Sequence, residues 1–254
     1  MVRMEEAFSF EVYSTASGLK QISNPIRKKI LSELKKRELS LSEIAVLVGK
    51  AQSTLSSHLD ELTREGLIAS RGDPADNRRK IFYLISKPIG NSIVPRNDLR
   101  EVVGTTIAGS IGTPSSFLKG VIRSIIIGIQ AVGFRMDPVL TEIGRMIGLE
   151  IAKRMKSDDI EGLIKEIKAF YEEHELGEVC VYSVTPLSLI IRDEYDCHKV
   201  PEAGKTFCMI NEGILSAIFE SKIGMALRVR TSTECLADGF NHCRVYIEPV
   251  SRPT

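Results

Sequence analysis

Cysteine residues are concentrated near the carboxyl end of the chain. Four of the five fall within the last 58 residues, where predicted strands end and a helix begins; they are Cys197, Cys208, Cys235 and Cys243. Because strand ends and helix starts can converge at one edge of a sheet, the four thiols can lie close together. In a cytoplasmic setting, such clustering favours metal binding or redox chemistry over structural disulfides. Cys180 stands apart in a predicted strand and is interpreted as a small buried apolar residue.

Three interpretations of the four clustered cysteines remain open. As zinc ligands, four thiolates would form a closed tetrahedral site, in which His198 or His242 could replace one sulfur. As a redox switch, two neighbouring thiols would form a disulfide and change how this region contacts a partner subunit. As partly buried core residues, they would have no chemical role. Zinc binding and oxidation are compatible, because oxidation of a thiolate ligand releases the metal.

The elements that would position these cysteines form a predicted α+β domain over residues 115–254. Helical spacing of apolar residues changes to period-two alternation, which predicts two strands separated by Pro186. Helices packed on a small antiparallel sheet are the expected architecture. The predicted helices cover residues 115–133, 137–156, 158–174 and 205–220, and the last two strands lie within 225–234 and 242–250.

A second pattern, from Leu39 to Leu84, is typical of two short helices followed by a hairpin. The first helix is predicted to be capped by Ser42 and to end at Gly49. The second covers residues 52–65, and its inward side chains are Leu55, Leu59 and Leu62. Its outward side chains are Gln52, Ser53, Thr54, Ser56, Ser57 and His58. Short polar groups of this kind can approach base edges in the DNA major groove.

The hairpin that follows is predicted from a run of turn-forming residues, 72–77, between two strand-like segments. Cations crowd its tip: Arg71, Arg78, Arg79 and Lys80. A basic hairpin after a helix-turn-helix is a wing, whose cations contact phosphates while the second helix occupies the groove. The pattern therefore predicts a winged helix-turn-helix that binds double-stranded DNA. The alternative is a structural helix pair with a solvated outer face.

The predicted domain boundaries follow from these two patterns. Residues 1–87 form the DNA-binding domain, in which a helix over residues 19–36 is capped by Asn24 and preceded by a short arm or first helix. Residues 88–114 are rich in Pro and Gly and are predicted to be a linker, with room for a short strand or helix. The second domain, 115–254, opens with a helix that is apolar on most sides. Such a helix is either buried or shared with a second subunit.

Charge is unevenly distributed, although the formal net charge is only +1. Between Lys20 and Lys87 there are 14 Lys and Arg residues and 8 Asp and Glu residues, so the remainder is acidic. A basic N-terminal third is consistent with a DNA-reading module joined to a module with another role. No signal peptide is recognised, and the apolar run at 121–134 is too short to span a bilayer. A soluble, cytoplasmic protein without a membrane partner is expected.

The N-terminal pattern resembles the ArsR family of winged helix-turn-helix transcriptional regulators. The resemblance is carried by SNPIRKKILSEL (23–34), LSLSEIAVLVGKAQSTLSSHLDELTREGLI (39–68) and the RRKIFYL strand of the wing (78–84). No paired-cysteine metal motif of the metal-sensing members occurs in the DNA-binding helices. Any sensing is therefore expected in the C-terminal domain.

Residues 115–249 resemble the 4-vinyl reductase domain. The resemblance is carried by EYDCHKVPEAGKTFCMINEGILSAIF (194–219), ECLADGFNHCRVYIEP (234–249) and the glycines Gly144 and Gly148. It implies a sensor module for small hydrophobic molecules, and in some members a structural zinc held by such cysteines. The implied ligand pocket lies between helices and sheet and would be lined by Phe134, Met146, Phe170 and Tyr182. The combination is similar to redox-responsive regulators of methanogenic archaea.

These observations predict a dimeric, promoter-binding transcriptional regulator without catalytic residues. A homodimer is expected because operators are usually two-fold, and repression rather than activation is implied by the family resemblance alone. The effector would be an oxidant, a metal such as Zn²⁺ or a small hydrophobic ligand. The alternative function is an enzyme or tetrapyrrole-binding protein with an accessory winged helix. A nucleic-acid scaffold without an effector is a third possibility.

Overall fold

The computed structural model describes residues 9–74, 76–193 and 201–249. The chain divides into two compact units, with the boundary between Val94 and Pro95. Each unit has its own hydrophobic core. Among the described residues, no helix is both long and apolar enough to cross a lipid bilayer.

The first unit contains a three-helix core with β-strands on either side. Its elements are β1 (Glu11–Thr15), β2 (Gly18–Ile22), α1 (Pro25–Leu34), β3 (Leu39–Ser40), α2 (Leu41–Val48), α3 (Gln52–Arg64), β4 (Ile68–Asp73), β5 (Asp76–Leu84) and β6 (Lys87–Ser92). Strand β1 pairs antiparallel with both β2 and β6, and β5 pairs antiparallel with both β3 and β4. The predicted helix-turn-helix and hairpin are therefore confirmed.

Local sequence explains the helix ends in this unit. Asn24 caps α1 by accepting from two backbone N–H groups, and Pro25 occupies the first helical position, as predicted. Gly49 ends α2 with a left-handed φ of 71°, which only glycine adopts at little cost. The predicted inward leucines of α3 are all buried; they are Leu55, Leu59 and Leu62.

Three predictions for this unit are wrong. Ser40, not Ser42, caps α2, because Glu43 lies three residues after Ser40 and the two form a reciprocal capping box. Residues 19–22, which the predicted helical segment included ahead of its cap at Asn24, belong to strand β2 instead. The N-terminal segment interpreted as an arm or first helix contains strand β1. Residues 1–8 of this segment lie outside the described part of the chain.

The second unit is α+β, as predicted. Its elements are α4 (Asp98–Ser110), α5 (Pro114–Ala131), β7 (Phe134–Arg135), α6 (Asp137–Ala152), α7 (Ile160–Glu173), β8 (Gly177–Val184), β9 (Leu187–Asp193), α8 (Pro201–Ile223), β10 (Leu227–Thr231), a 3-10 turn (Leu236–Asp238) and β11 (Cys243–Pro249). Four strands form an antiparallel sheet in the order β10-β11-β9-β8. Helix α8 contributes fully buried residues to the main core, including Leu215, Ile218 and Phe219.

Helices α6 and α8 pack so closely that their backbones touch at glycines. A Cβ atom built on Gly144 would lie 2.2 Å from the carbonyl oxygen of Ile210. Reciprocally, a Cβ atom on Gly213 would lie 2.1 Å from the carbonyl oxygen of Thr141. Any side chain at these positions would push the two helices apart, so the glycines fix the position of α8 and of the cysteine that it carries.

Residues 88–114, predicted to be a linker, are mostly regular structure. They contain nearly all of β6, which belongs to the first unit, and the whole of α4, which belongs to the second. The helix predicted to be apolar on most sides is α5, and it is only partly buried: Phe117 and Ile125 are exposed, while Ile126 and Ile127 are buried. Apolar periodicity on a helix that is apolar on most sides does not reveal which side is buried.

Candidate functional site

Helix α3 presents a polar face to solvent, on the side opposite its three buried leucines. The exposed residues include five of those predicted to contact DNA: Gln52, Ser53, Thr54, Ser56 and Ser57. Because α3 has no side-chain cap, its first turn leaves backbone N–H groups available to an acceptor. An uncapped helix start with short polar side chains can approach phosphates and base edges closely.

His58 differs from the other predicted contacts because it is half-buried. Its Nδ1 atom is inaccessible to solvent and has no hydrogen-bond partner among the described residues. The imidazole therefore lies at the edge of the exposed polar face of α3, where part of the ring contacts protein.

The wing is the hairpin of β4 and β5, and two of its cations are already paired with carboxylates. Arg71 Nη2 lies 2.6 Å from Glu38 Oε2, and the Arg71 guanidinium also sits 5.6 Å from the centre of the Tyr83 ring. Lys80 is exposed and forms no ion pair with the residues that the structure describes. The side chain of Arg78 lies outside the described residues. Lys80 is therefore the described wing cation best placed to contact a phosphate.

Arg79 connects the wing to the start of α2. Its Nη2 atom donates to Ser40 Oγ at 2.9 Å and to Glu43 Oε2 at 2.8 Å. Arg37 contacts the other carboxylate oxygen of Glu43 at 2.9 Å. Hydrogen bonds from the side chain and backbone of Ser40, and then from Arg37, lower the pKa of Glu43 from 4.5 to about 2. A permanently ionised carboxylate thus holds two cations beside the helix-turn-helix.

A cavity of about 520 Å³ lies between α2, α3 and the wing. Its walls include Gln52 and Ser56 from α3, and Arg79 and Lys80 from the wing. Polar groups of the predicted recognition helix therefore share one concave surface with wing cations. Both kinds of contact that a winged helix makes with DNA, to base edges and to phosphates, are available on this surface.

Three of the four clustered cysteines come together in the second unit. Sγ of Cys235 lies 3.3 Å from Sγ of Cys243 and 3.8 Å from Sγ of Cys208, and all three residues are buried. The three sulfur atoms lie within 4.8 Å of one another, so they could hold a metal ion. Cys197 and His198 lie outside the described residues.

Each of these three thiols is positioned by a different element. Cys208 is on α8, Cys235 precedes the 3-10 turn, and Cys243 is the first residue of β11. The backbone of Gly239 is left-handed, with φ 93°, and this turn returns the chain from Cys235 towards β11. The Cys235 carbonyl accepts from the N–H groups of Asp238 and Phe240, which closes the loop. Cys243 begins a strand, as predicted. Cys208, predicted at the start of a helix, lies about two turns inside α8, and Cys235, predicted at the end of a strand, lies beyond the end of β10.

The environment of the thiols favours their neutral form in the absence of a cation. Hydrogen bonds with Cys235 and Cys243, together with burial, raise the pKa of Cys208 far above its usual range. The hydrogen bond with Cys208 lowers the pKa of Cys243, but the hydrogen bond with Cys235 and burial outweigh it and raise the value to about 12. A bound metal cation would reverse this preference, because thiolates are the metal-binding form.

The sulfur geometry fits a tetrahedral metal. Two sulfurs bound to one zinc at about 2.3 Å would lie about 3.8 Å apart. The separations of 3.8 Å for Cys208 and Cys235 and 3.3 Å for Cys235 and Cys243 are close to that edge length. His242 is near in sequence, but its Nδ1 is 2.8 Å from Asn241 Oδ1 and its Nε2 is 3.7 Å from Glu234 Oε2. Three sulfur atoms are therefore close enough together to bind a single metal ion.

The four residues predicted to line a ligand pocket differ in exposure. Met146 and Tyr182 are each 55% exposed, and the Arg244 guanidinium covers the Tyr182 ring at 3.9 Å. Phe170 packs against the core and stacks on His174 with ring centroids 4.1 Å apart, beside a cavity of about 440 Å³. Phe134 is half-buried in β7. A pocket lined by these four side chains stays a prediction.

Sequence reasoning missed the role of Ser40 and Glu43. The signal was present, because Ser-x-x-Glu before an apolar helix is the pattern of a capping box. The pairing of Glu43 with Arg79 had no such signal, since 36 residues separate the two. Cys180, interpreted as buried, is only half-buried and contacts Glu178 Oε1 at 3.3 Å.

The three-helix core with its hairpin defines a winged helix-turn-helix. Residues 24–70 match the family model described as bacterial regulatory protein, arsR family. The chain therefore contains an ArsR-family DNA-binding domain, as predicted. Nodulation protein NolR of Rhizobium meliloti is 40% identical over 58 residues, which cover 23% of this chain and 48% of that protein.

Two further relatives come from Methanocaldococcus jannaschii. The uncharacterized protein MJ0150 is 24% identical over 130 residues, which span 50% of this chain and 73% of that protein. The uncharacterized protein MJ1642 is 26% identical over 103 residues, which span 41% of this chain and 61% of that protein. The match to MJ1642, like that to NolR, thus covers less than two thirds of the relative.

Solved structures show low overall similarity. A vinyl-4-reductase family protein from Methanocaldococcus jannaschii has a TM-score of 0.38 at 18% identity, covering 61% of this chain and 94% of that one. The phenol-responsive sensory domain of the transcription activator PoxR has a TM-score of 0.35 at 14% identity, covering 89% of this chain and 91% of that one.

Proposed function

We propose that this protein is a transcriptional repressor that binds promoter DNA as a homodimer and senses its effector through the second unit. The observation that carries the DNA-binding role is the exposed polar face of α3, which shares a concave surface with Arg79 and Lys80 of the wing. Helix α3 would enter the major groove, and the wing would contact the phosphate backbone. Gln52 and Ser53 in its first turn would approach base edges, while Arg78 and Lys80 would contact phosphates.

The thiol cluster is the proposed sensor. Cys208, Cys235 and Cys243 would bind Zn²⁺, with Cys197, or a histidine in its place, as the fourth ligand. Zinc would hold α8, the loop after Cys235 and the start of β11 together. A two-electron oxidant such as a peroxide would convert two zinc-bound thiolates to a disulfide. The two electrons would reduce the peroxide, which takes two protons from solvent and leaves as water, and the metal would be released. DNA affinity would then change if the two forms of the second unit differ in their effect on the DNA-competent state.

A second copy of this chain is the proposed partner of helix α5. Apolar side chains recur on α5 and just after it at the 3-4 spacing of a helix-pairing seam: Leu118, Ile122, Ile125, Ile129 and Val132. Of these, Leu118 is 61% exposed and Ile125 is 56% exposed. A stripe of solvent-exposed apolar side chains along one side of a helix is characteristic of a helix that packs against another subunit. A two-fold dimer also matches a two-fold operator.

The experiment that tests the DNA-binding proposal is a titration of the full chain against the region upstream of its own gene, with reduced and mildly oxidised protein. We expect specific binding and a large difference in affinity between the two forms. Binding without any difference would leave the thiol cluster as a structural zinc site and overturn the redox proposal. If the protein binds neither this region nor an unrelated duplex at low salt, the DNA-binding proposal is overturned.

Two variants with the same charge change make this titration specific. Ser53→Glu places a carboxylate on the exposed face of α3 and should weaken binding at least tenfold, because it faces the phosphates and base edges. Ser221→Glu, on an exposed position of α8 in the second unit, should leave affinity unchanged. Equal effects of the two substitutions would mean that α3 does not contact DNA.

The dimer proposal is tested by light scattering coupled to gel filtration. Ile125→Lys places a charge in the apolar stripe of α5 and should convert the dimer to a monomer. Val184→Lys, which changes an even more exposed apolar residue of β8, should leave the mass unchanged. A wild-type monomer at tens of micromolar protein, or a dimer that survives Ile125→Lys, would contradict this use of α5.

A further inference from the structure

We propose that the cavity between α4 and α5 binds a small molecule through a phosphate or carboxylate group. The cavity lies within the second unit, away from the thiol cluster in sequence, and has a volume of about 600 Å³. This volume is in the range of about 300–1,000 Å³ that small-molecule sites usually have. No residue of the cavity belongs to the hydrophobic pocket predicted from the sequence.

The wall of the cavity is polar and carries more positive than negative charge. Hydroxyl groups come from both helices and from the turn between them, and the cations are Lys119 and Arg123, one turn apart on α5. The wall has one carboxylate, that of Glu175, which is exposed. An oxyanion that enters this cavity therefore meets two cations and several hydroxyl groups, a composition that favours anions over apolar ligands.

Lys119 is held in place but keeps donors for a ligand. Its Nζ atom donates to the carbonyl oxygen of Glu175 at 2.9 Å. Since an ammonium group has three N–H donors, two are left for an acceptor in the cavity. The backbone of Glu175 is left-handed, with φ 52°, an unusual conformation for a residue other than glycine. The contact thus fixes the ammonium group without neutralising it.

Arg123 adds a buried charge to the same wall. Its side chain is only 8% exposed, and it lies on α5 four residues after Lys119. A guanidinium has five N–H donors in a planar array and matches the two oxygens of a carboxylate or phosphate. Arginine is seldom this buried, because removal of its charge from water is costly.

The shape of the cavity is fixed by close packing at its base. A Cβ atom on Gly120 would lie 2.1 Å from Oγ of Ser110, so α4 and α5 are in contact there. At Gly109, which also lines the cavity, an added Cβ would meet nothing within 4 Å. The reciprocal capping box of Thr113 and Ser116 fixes the first turn of α5 beside the opening. The site is therefore preformed, with open space where a ligand would lie.

This site would give the proposed regulator a polar effector in place of a hydrophobic one, and that role rests on the proposed function. Binding itself does not, because it can be measured without DNA. The probes are inorganic phosphate and succinate, each titrated by calorimetry into the full chain in a low-salt chloride buffer. Comparison of the two probes shows which oxyanion the cavity prefers.

The variants separate this cavity from the basic wing. Lys119→Gln should weaken binding of the preferred probe about tenfold or more, the loss expected for one charge-assisted hydrogen bond. Lys119→Arg should lose less affinity than Lys119→Gln, because the positive charge is conserved. Gly109→Phe should abolish binding by filling the cavity, while Gly109→Ala should not. Lys80→Gln, in the wing, should leave binding unchanged.

Two results would overturn the proposal. One is the absence of binding of both probes to the wild-type chain. The other is unchanged affinity in Lys119→Gln and Gly109→Phe proteins that keep the wild-type circular dichroism spectrum. Absence of DNA binding by a wild-type chain that still binds the oxyanion probe would overturn the proposed function and leave this site standing.

Discussion

The guanidinium of Arg79 lies 2.8 Å from the carboxylate of Glu43, so that the wing is joined to the first turn of α2. Glu43 also accepts from Ser40 and Arg37, and its carboxylate stays ionised far into the acid range. Arg79 is therefore a positioning residue for the wing in the free protein. A phosphate that bound Arg79 would have to compete with the carboxylate of Glu43. Lys80, in contrast, is exposed and pairs with no carboxylate among the described residues.

Replacing Lys80 with Ala should make DNA binding less sensitive to salt. Each cation that neutralises a phosphate releases condensed counterions, so loss of one contact should reduce the slope of log affinity against log salt by about 0.9. The measurement is a salt titration of affinity for the promoter and for an unrelated duplex, and both should weaken alike. Lys165→Ala, on an exposed position of α7, is the control. An unchanged slope in Lys80→Ala would mean that this part of the wing does not touch DNA.

Replacing Arg78 and Arg79 together with Ala should weaken DNA binding across sequences. Arg78 would lose a phosphate contact, and Arg79 would lose its hold on Glu43 and Ser40. The salt slope should fall, and the free energy of unfolding should fall by about 1 kcal/mol at most, because the ion pair is partly exposed. The single variant Arg79→Ala separates the two causes. If it alone accounts for the whole loss of salt dependence, then Arg79 contacts phosphate despite its carboxylate partner.

Replacing Glu43 with Gln should change how stability depends on pH. The pKa of Glu43 is lowered from 4.5 in an unfolded chain to about 2 in the fold, chiefly by hydrogen bonds from Ser40. A lowered pKa stabilises the fold fully above pH 4.5, and this contribution is lost as the pH falls towards 2. Urea unfolding should therefore show the wild type to be more stable than Glu43→Gln at neutral pH, by an amount that shrinks below pH 4.5. A constant difference across that range would contradict the assignment.

Much of the first unit could be predicted because its signals are local. Leucines at positions 55, 59 and 62 define the buried side of α3, and turn-forming residues define the wing. The caps of α1 and α2 can also be predicted from local sequence. Ser40 and Ser42 are both candidate caps for α2, and Glu43, three residues after Ser40, favours Ser40 because the two can form a capping box. Strand β2 could not be predicted from the sequence, because its five residues resemble the beginning of the next helix.

The second unit was harder to predict because its site depends on packing. The cysteines of the thiol cluster could be identified in the sequence. Their distances could not be predicted, because Cys208 and Cys235, whose sulfur atoms lie 3.8 Å apart, are 27 residues apart in the chain. The exposed side of α5 could not be assigned, because apolar residues occur on most of its surface. The cations Lys119 and Arg123 are one turn apart, and only the position of α4 opposite them creates a cavity.

Cys243→Ser should lower the zinc content of the purified protein, and Cys180→Ser should not. Cys243 lies 3.3 Å from Cys235 in the buried cluster, whereas Cys180 is half-buried on β8 and contacts Glu178. The measurement is elemental analysis, with about one zinc per chain expected for the wild type from a single tetrahedral site. The metal should resist dialysis and be removed by a strong chelator, with a fall in melting temperature. Equal zinc in all three proteins would return the cysteines to the core-residue interpretation.

Gly144→Ala and Gly128→Ala should change stability in opposite directions, although both add one methyl group to a helix. At Gly144 the new Cβ would lie 2.2 Å from a backbone oxygen of α8, which cannot move aside as a flexible side chain would. The helices must then separate, at a cost of about 1–3 kcal/mol or more. At Gly128 in α5 nothing lies within 4 Å, so alanine should stabilise the helix by about 0.5–1 kcal/mol.

The measurement is urea denaturation of the full chain, with metal content matched between the proteins. Because α6 positions α8, and α8 carries Cys208, Gly144→Ala should also weaken zinc retention, while Gly128→Ala should leave it unchanged. A loss of stability without any change in zinc retention would mean that the contact between α6 and α8 supports the core alone. Equal stability of the two variants would contradict the close backbone approach at Gly144.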